Sequence, residues 1–296
     1  SDIELSKHIE GAADNLDAAA QEIAEQALNA GSTDNLTVQI LRIEQLPALS
    51  IEELSQQLDS LPLPPKLEPR MLFDGYRIVR ELHVSSRSHV YLAEDSETGE
   101  QVAIKTPSTE LQGDKAYLEN LLLEDWIAKR ISNPHVLKAI PAQRKRHFLY
   151  TVTEYIDGQS LSQWMIDNPS PTIEEVRAII DQVAKGLQAF HRQEMIHQDL
   201  RPQNIMIDAS GTVRIIDFGS TRVAGISEIR PGNEGIVGTM QYSAPEYFTG
   251  DAVSTRADLY SLGVITYQML SGGFPYGLKV SNTRSRADLR KLRYQP

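Results

Sequence analysis

The 296-residue sequence contains no cysteine. Disulfides and cysteine-ligated zinc are therefore excluded, and the composition suits a reducing compartment, so a cytoplasmic location is expected. Apolar runs are short: none reaches the roughly 18 residues a membrane helix needs, and no signal-peptide pattern opens the chain. A soluble chain with no membrane segment is expected. Positive charge is also scarce. The net charge is −11, so no electrostatic footprint for nucleic acid is present, and no nucleic-acid partner is expected. The charge is uneven: residues 1–70 hold 13 acids and 4 bases, whereas residues 71–296 hold 27 and 25. The last twenty residues reverse the sign, with Lys279, Arg284, Arg286, Arg290, Lys291 and Arg293 against Asp288. Such a run reads first as a solvated basic segment. The apolar fraction of 41 % is ample for a core, and the length suits one large domain or two modest ones.

Residues 11–30 are rich in alanine, with Leu16, Ala19, Ala20, Ile23, Ala24, Ala27 and Leu28 at helical spacing. Gly31 is expected to close that helix. A turn, Gly31-Ser32-Thr33-Asp34-Asn35, then runs into an apolar stretch, Leu36–Leu41, expected as a strand. Pro47, Pro62, Pro64, Pro65 and Pro69 punctuate residues 45–73, which read as a linker. Within it Ile51, Leu54, Leu58 and Leu61 predict one short amphipathic helix.

The most informative stretch is His197-Gln198-Asp199-Leu200-Arg201-Pro202-Gln203-Asn204, followed by Asp217-Phe218-Gly219. Val102-Ala103-Ile104-Lys105 lies upstream, and Gly238-Thr239-Met240-Gln241-Tyr242-Ser243-Ala244-Pro245-Glu246 lies downstream. Phosphoryl transfer needs a carboxylate at the attacking hydroxyl, two oxygen ligands for Mg²⁺ and cations for the phosphates. These motifs in this order resemble the eukaryotic-like, bacterial-type Ser/Thr protein kinases over roughly residues 74–296. The resemblance implies an α+β fold of two lobes, a small β-rich N-lobe and a helical C-lobe, with ATP between them. It also implies ATP and Mg²⁺ as cofactors, a protein substrate offering Ser or Thr, and further C-lobe helices beyond Pro296.

Residue by residue, the resemblance makes Asp199 the catalytic base and places the cation of Arg201, where lysine is usual, beside the transferring phosphate. Asn204 and Asp217 become the metal ligands. Lys105 would meet the α- and β-phosphates and pair with a helix glutamate, which falls on Glu124, with Glu119 and Asp125 as competing assignments. The helix carrying it is expected over about 114–131. Leu82, Val90, Ala103 and Met206 would enclose the adenine, although Met206 is equally readable as core. Phe148–Ile156 reads as the strand and hinge between lobes, with Thr153 as gatekeeper and the backbone of Glu154 and Ile156 meeting the adenine edge. Thr172-Ile173-Glu174-Glu175 is a capping box that opens a helix leading to His197. Asp258 is expected to brace the catalytic loop.

Two departures stand out. Where the family has three glycines over the phosphates, this chain has His83, Ser85 and Ser88. Weaker nucleotide binding or a slower rate is expected, with Ser hydroxyls and Arg87 as partial substitutes. The alternative is a pseudokinase-like module that binds nucleotide and regulates. Gln198 replaces the arginine that pairs with an activation-loop phosphate, so activity is not expected to depend strongly on phosphorylation of the loop hydroxyls Ser220, Thr221 and Ser227.

The pattern G-S-x-D-N-x-T-V at residues 31–38, with the helix before it, resembles the last segment of the metal-dependent type 2C protein phosphatases. That resemblance makes Asp34 a metal ligand; read alone, it is a turn residue opening a strand. The upstream acidic motifs are absent, so phosphatase activity is not expected. The implied organisation is a β-sandwich remnant of a phosphatase at 1–44, a linker at 45–73 and a C-terminally incomplete kinase domain at 74–296.

Overall fold

The computed structural model describes residues 15–32, 36–40, 61–108, 110, 114–140, 144–224, 240–277, 280 and 285–294. The chain divides into two units, 1–50 and 51–296.

In the first unit the alanine-rich stretch forms helix α1, Leu16–Asn29. The Asn15 side chain accepts the Ala18 amide and caps it, and Gly31 follows at a φ of +92°. The expected strand at 36–41 is not formed: Leu36–Ile40 belongs to no strand. Apolar content alone does not make a strand. Its amides and carbonyls must pair with a neighbour, and among the described residues none pairs with this segment. Asp34 and most of the Ile51–Leu61 helix lie outside the described residues.

In the second unit five antiparallel strands run in sequence order: β1 (Leu72–Phe73), β2 (Tyr76–Val84), β3 (Ser88–Asp95), β4 (Gln101–Pro107) and β5 (Thr151–Glu154). Strand alternation divides their side chains between two faces. Ile104 pairs with Tyr91, and Val102 with Ala93; all four are buried in a core with Tyr76, Ile78, Tyr150 and Val152. On the opposite face Lys105 stands across from Val90, and Ala103 across from Leu92 and Thr153. The expected strand at 148–156 is shorter than its apolar run, because only Thr151–Glu154 pairs with β4.

The described part of the expected linker, 61–73, is packed rather than free. Pro62 O accepts the Leu149 amide at 2.9 Å, Leu67 and Phe73 enter the sheet core, and Leu72–Phe73 is strand β1.

Helix α2, Lys115–Arg130, starts at Asp114, whose side chain accepts the Tyr117 amide. Its Leu123, Ile127 and Ala128 join the core of the helical lobe. That lobe is built on helix α4, Ile173–Arg192, preceded by the short α3, Leu161–Asp167. The capping box is present: Thr172 Oγ1 accepts the Glu175 amide and the Glu175 carboxylate accepts the Thr172 amide. Val176, Ile179, Val183, Leu187 and Phe190 form one buried stripe against Ile205, Val213, Ile215 and Ile265. Strands β6 (Gly158–Ser160), β8 (Ile205–Asp208) and β9 (Val213–Ile215) form a small sheet, and β7 (Met195–Ile196) pairs with β10 (Arg222–Val223). Helices α5 (Glu246–Thr249), α6 (Arg256–Ser271) and α7 (Arg286–Leu289) follow.

The β8–β9 turn has its own anchor. Asp208 accepts the Ser210 and Thr212 amides and the Ser210 hydroxyl, and Arg214 Nη1 lies 2.7 Å from its other oxygen. Burial would raise this carboxyl, but the hydrogen bonds from Ser210 and Arg214 outweigh it and hold the group at about 2. A carboxylate depressed on folding contributes stability above its unfolded value, and loses that contribution as pH falls toward the folded one. Asp208→Asn is therefore expected to cost about 1–2 kcal/mol at pH 7. Urea midpoints should converge with wild type near pH 2; an equal gap at both pH values would contradict the assignment.

Candidate active site

The stretch 197–204 is held from beneath. β7 delivers His197, which is fully buried and packs edge-on to Phe190 and Phe218. Asp258, in the first turn of α6, is 1 % exposed. Its carboxylate accepts the His197 and Gln198 amides, each at 3.0 Å, and His191 Nε2–H at 2.8 Å. This grip sustains a left-handed Gln198, at a φ of +68°, which a non-glycine residue adopts only when its surroundings impose it. Asp258 thus braces the loop backbone as expected. His191, in the last turn of α4, was not singled out in the sequence, and nothing local to it signals the contact.

Asp199 follows directly. Asn204 Nδ2 donates to Asp199 O at 2.8 Å and to its Oδ2 at 3.0 Å. Arg201 Nε lies 3.4 Å from the same Oδ2. Burial raises the Asp199 carboxyl above the usual range, opposed by the charges of Arg201 and His197.

Three charged groups from distant parts of the chain meet opposite this loop. Lys105 Nζ donates to both Glu124 oxygens, at 2.9 and 2.6 Å, and lies 3.5 Å from Asp217 Oδ1. Burial works against the Lys105 charge, but the carboxylates of Glu124 and Asp217 outweigh it and keep the ammonium firmly charged. Lys105 in turn lowers the Asp217 carboxyl. Of the competing carboxylates, Glu124 reaches Lys105, while Asp125 turns to Lys129 and Arg146. Asp217 also has a left-handed φ, +65°, and Phe218 is buried against Phe190 at 5.3 Å. Among the described residues no group of three or more His, Asp or Glu side chains could hold a metal, so any metal here must draw on other oxygens.

Val90, Ala103 and Lys105 share one sheet face by their pairing. Leu82 is the residue inserted where the β2–β3 register shifts between Glu81↔Tyr91 and His83↔Val90. Met206, on β8, is half-buried between Ser160 and Arg214. The Glu154 amide donates to Lys138 O at 3.0 Å, and Ile156 is buried just after β5.

The glycine-free loop is tied to itself. Ser85 Oγ accepts the Arg87 and Ser88 amides and donates to Ser88 O. The Ser85 hydroxyl is thus committed to the turn, contrary to its expected use as a phosphate donor, whereas Arg87 is exposed. Gly238 and Thr239 lie outside the described residues.

A lysine–carboxylate cluster reaching from the sheet, with a braced Asp/Asn loop on the helical side, is an arrangement that suits phosphoryl transfer. A sequence profile described as "Protein kinase domain" matches residues 76–295, and the chain belongs to that family. It is 32 % identical over 208 residues to the serine/threonine-protein kinase PknA of Corynebacterium glutamicum, covering 68 % of this chain and 44 % of the relative. Identity to pkn2 of Myxococcus xanthus is 32 % over 216 residues, covering 70 % and 25 %. With the probable serine/threonine-protein kinase PknB of Lactococcus lactis it is 27 % over 208 residues, covering 70 % and 33 %. The chain therefore spans less than half the length of these relatives. Among the described residues no helix is long and apolar enough to cross a membrane.

Proposed function

We propose that this chain transfers the γ-phosphate of ATP to serine or threonine hydroxyls of a protein, in the cytoplasm. The observation that carries the reading is the meeting of Lys105, Glu124 and Asp217 across 112 residues of sequence. A half-buried cation poised between two carboxylates suits a polyphosphate better than it suits packing.

In this reading Asp199 orients the acceptor hydroxyl. It takes the proton as the new O–P bond forms and the bond from the γ-phosphorus to its bridging oxygen breaks, releasing ADP. Lys105, held by Glu124, meets the α- and β-phosphates, and Arg201 places a cation beside the transferring group. Leu82, Val90, Ala103 and Met206 contact the adenine. Its edge meets the backbone of Ile156 and the carbonyl of Glu154, whose amide is already engaged.

Asn204 and Asp217 are the Mg²⁺ ligands in this proposal. The donors fit: Mg²⁺ takes one or two protein oxygens and completes its shell with phosphate and water. Asn204 turns its amide nitrogen toward Asp199, leaving its oxygen as the ligand atom. When bound, the ion would neutralise charge on the phosphates.

The test is transfer from labelled ATP to a generic Ser/Thr protein, followed by phosphoamino-acid analysis. Label on serine or threonine supports the reading. Mg-ATP binding without transfer would leave the regulatory pseudokinase instead. The phosphatase-tail reading of residues 1–44 rests on the pattern at 31–38 and the helix before it.

The pH profile follows from Asp199. A base whose carboxyl is raised is protonated, and lost, at pH values above the ordinary aspartate value of about 3.9. The acid limb of kcat is expected above that value. Arg201→Gln removes a cation that opposes the shift, so the limb should move to higher pH. A limb that stays or moves down would contradict this assignment.

A further inference from the structure

Asp125 is the residue next to Glu124, and it is nearly buried, yet it has no part in the cluster at Lys105. It meets Lys129 Nζ at 2.5 Å and Arg146 Nη1 at 3.6 Å, both through Oδ2. Arg146 lies in the segment that leads into β5, and its side chain is 14 % exposed. Its Nη1 donates to Tyr150 O at 3.0 Å, and its guanidinium stands 5.3 Å from the Tyr150 ring centre. The next residue, Thr151, pairs directly across the sheet with Lys105.

These contacts close a ring. From Lys105 it passes to Glu124, along the helix to Asp125, across to Arg146, to Tyr150 O, and through Thr151 back to Lys105. Neighbouring helix residues point about 100° apart. Glu124 and Asp125 therefore hold α2 along two different lines. Glu124 alone grips a flexible lysine stem; the packing of Leu123, Ile127 and Ala128 seats the helix, and the Arg146 contact adds a polar restraint on its rotation from a second direction. Packing does not account for the second line well. Asp125 Oδ1, Arg146 Nε and Arg146 Nη2 are buried without hydrogen-bond partners, and a buried pair of this kind adds little net stability over apolar residues.

We infer that Arg146, acting through Asp125, is a positioning residue that sets the rotation of α2 so that Glu124 faces Lys105. This rests on the kinase reading for its consequence in catalysis, but not for its geometry. Arg146 is thereby a remote determinant of the rate: it touches neither nucleotide nor acceptor, and it fixes the lysine that does.

The test uses the 296-residue chain with Arg146→Met, Arg146→Lys and the isosteric Asp125→Asn, each in the wild-type and the Glu124→Gln backgrounds. Arg146→Met and Asp125→Asn should lower kcat by roughly ten- to a hundredfold, with a smaller change in KM for Mg-ATP. Arg146→Lys keeps the charge and should recover most of the rate. In the Glu124→Gln background Arg146→Met should have little further effect, since the two act as one unit. A merely structural residue would lower the rate by the same factor in both backgrounds. Acetylation of Lys105 by acetic anhydride, followed by mass spectrometry, reads the same geometry without turnover. Labelling should be severalfold faster in Arg146→Met and unchanged in Arg146→Lys. Wild-type labelling and rate in Arg146→Met, or independent effects of Arg146 and Glu124, would overturn the inference. A wild-type chain that transfers no phosphate would sink the kinase reading, and Lys105 labelling would still decide the role of Arg146.

Discussion

Asp199→Asn is expected to lower phosphate transfer by about 10²- to 10⁴-fold, with Mg-ATP affinity nearly unchanged. The substitution keeps the shape of the side chain, and the amide still meets Asn204 and lies beside Arg201. What disappears is the oxygen that accepts the hydroxyl proton. The nucleotide's proposed holders, Lys105, Asn204 and Asp217, are left in place. The expected signature is thus a fall in kcat with little change in nucleotide binding, measured by labelled-ATP transfer and by equilibrium titration. A variant that transfers phosphate at the wild-type rate would remove Asp199 from the chemistry. A variant that no longer binds Mg-ATP would show that its effect is on the site's structure.

The cleft was readable in proportion to how local its signals are. Lys105 sits in a four-residue pattern, and strand alternation alone puts it on the face opposite Ile104. Asp199, Asn204 and Asp217 stand within one short stretch of chain. Glu124 was harder, because Glu119, Glu124 and Asp125 lie on one helix and only the approach of the sheet decides among them. The Arg146 contact had no local signal, since a run of three bases, Arg144-Lys145-Arg146, before an apolar strand describes many surface turns. The phosphate loop differs from the expectation because a serine hydroxyl in a tight turn can satisfy amides of its own loop before it meets a ligand.

The N-terminal part shows the same limit from the other side. Leu36–Ile40 has strand composition but no strand, because pairing is supplied by residues elsewhere in a chain. The prolines at 62–69 mark a segment that cannot form a helix, and in the sequence such a segment reads as a linker. Yet Leu67 and Phe73 are buried, and the Leu149 amide bonds to Pro62. Proline forbids certain elements; it does not keep a segment away from a core.

Asp258→Ala should be the most destabilising single change at the site. Its carboxylate is the shared acceptor for the buried His197 amide, the half-buried Gln198 amide and His191 Nε2. Truncation leaves all three donors without it in a region where water has little access, at about 1–3 kcal/mol for each donor left unsatisfied. Part of that loss is recovered by relaxation, so the net cost is expected at about 3–5 kcal/mol. For a unit of this size that corresponds to a fall in Tm of about 10 °C. Gln198 would also lose the grip that imposes its left-handed backbone, and Asp199 is the next residue. Phosphate transfer should therefore fall even at temperatures where the variant is still folded. Asp258→Asn retains one acceptor oxygen but turns an amide group toward remaining donors, so it should fall between wild type and alanine in both measurements. Thermal unfolding by circular dichroism, paired with transfer assays well below Tm, separates the two effects. A folded Asp258→Ala with wild-type Tm and rate would mean that the loop holds its conformation without this carboxylate, and the bracing role would fail.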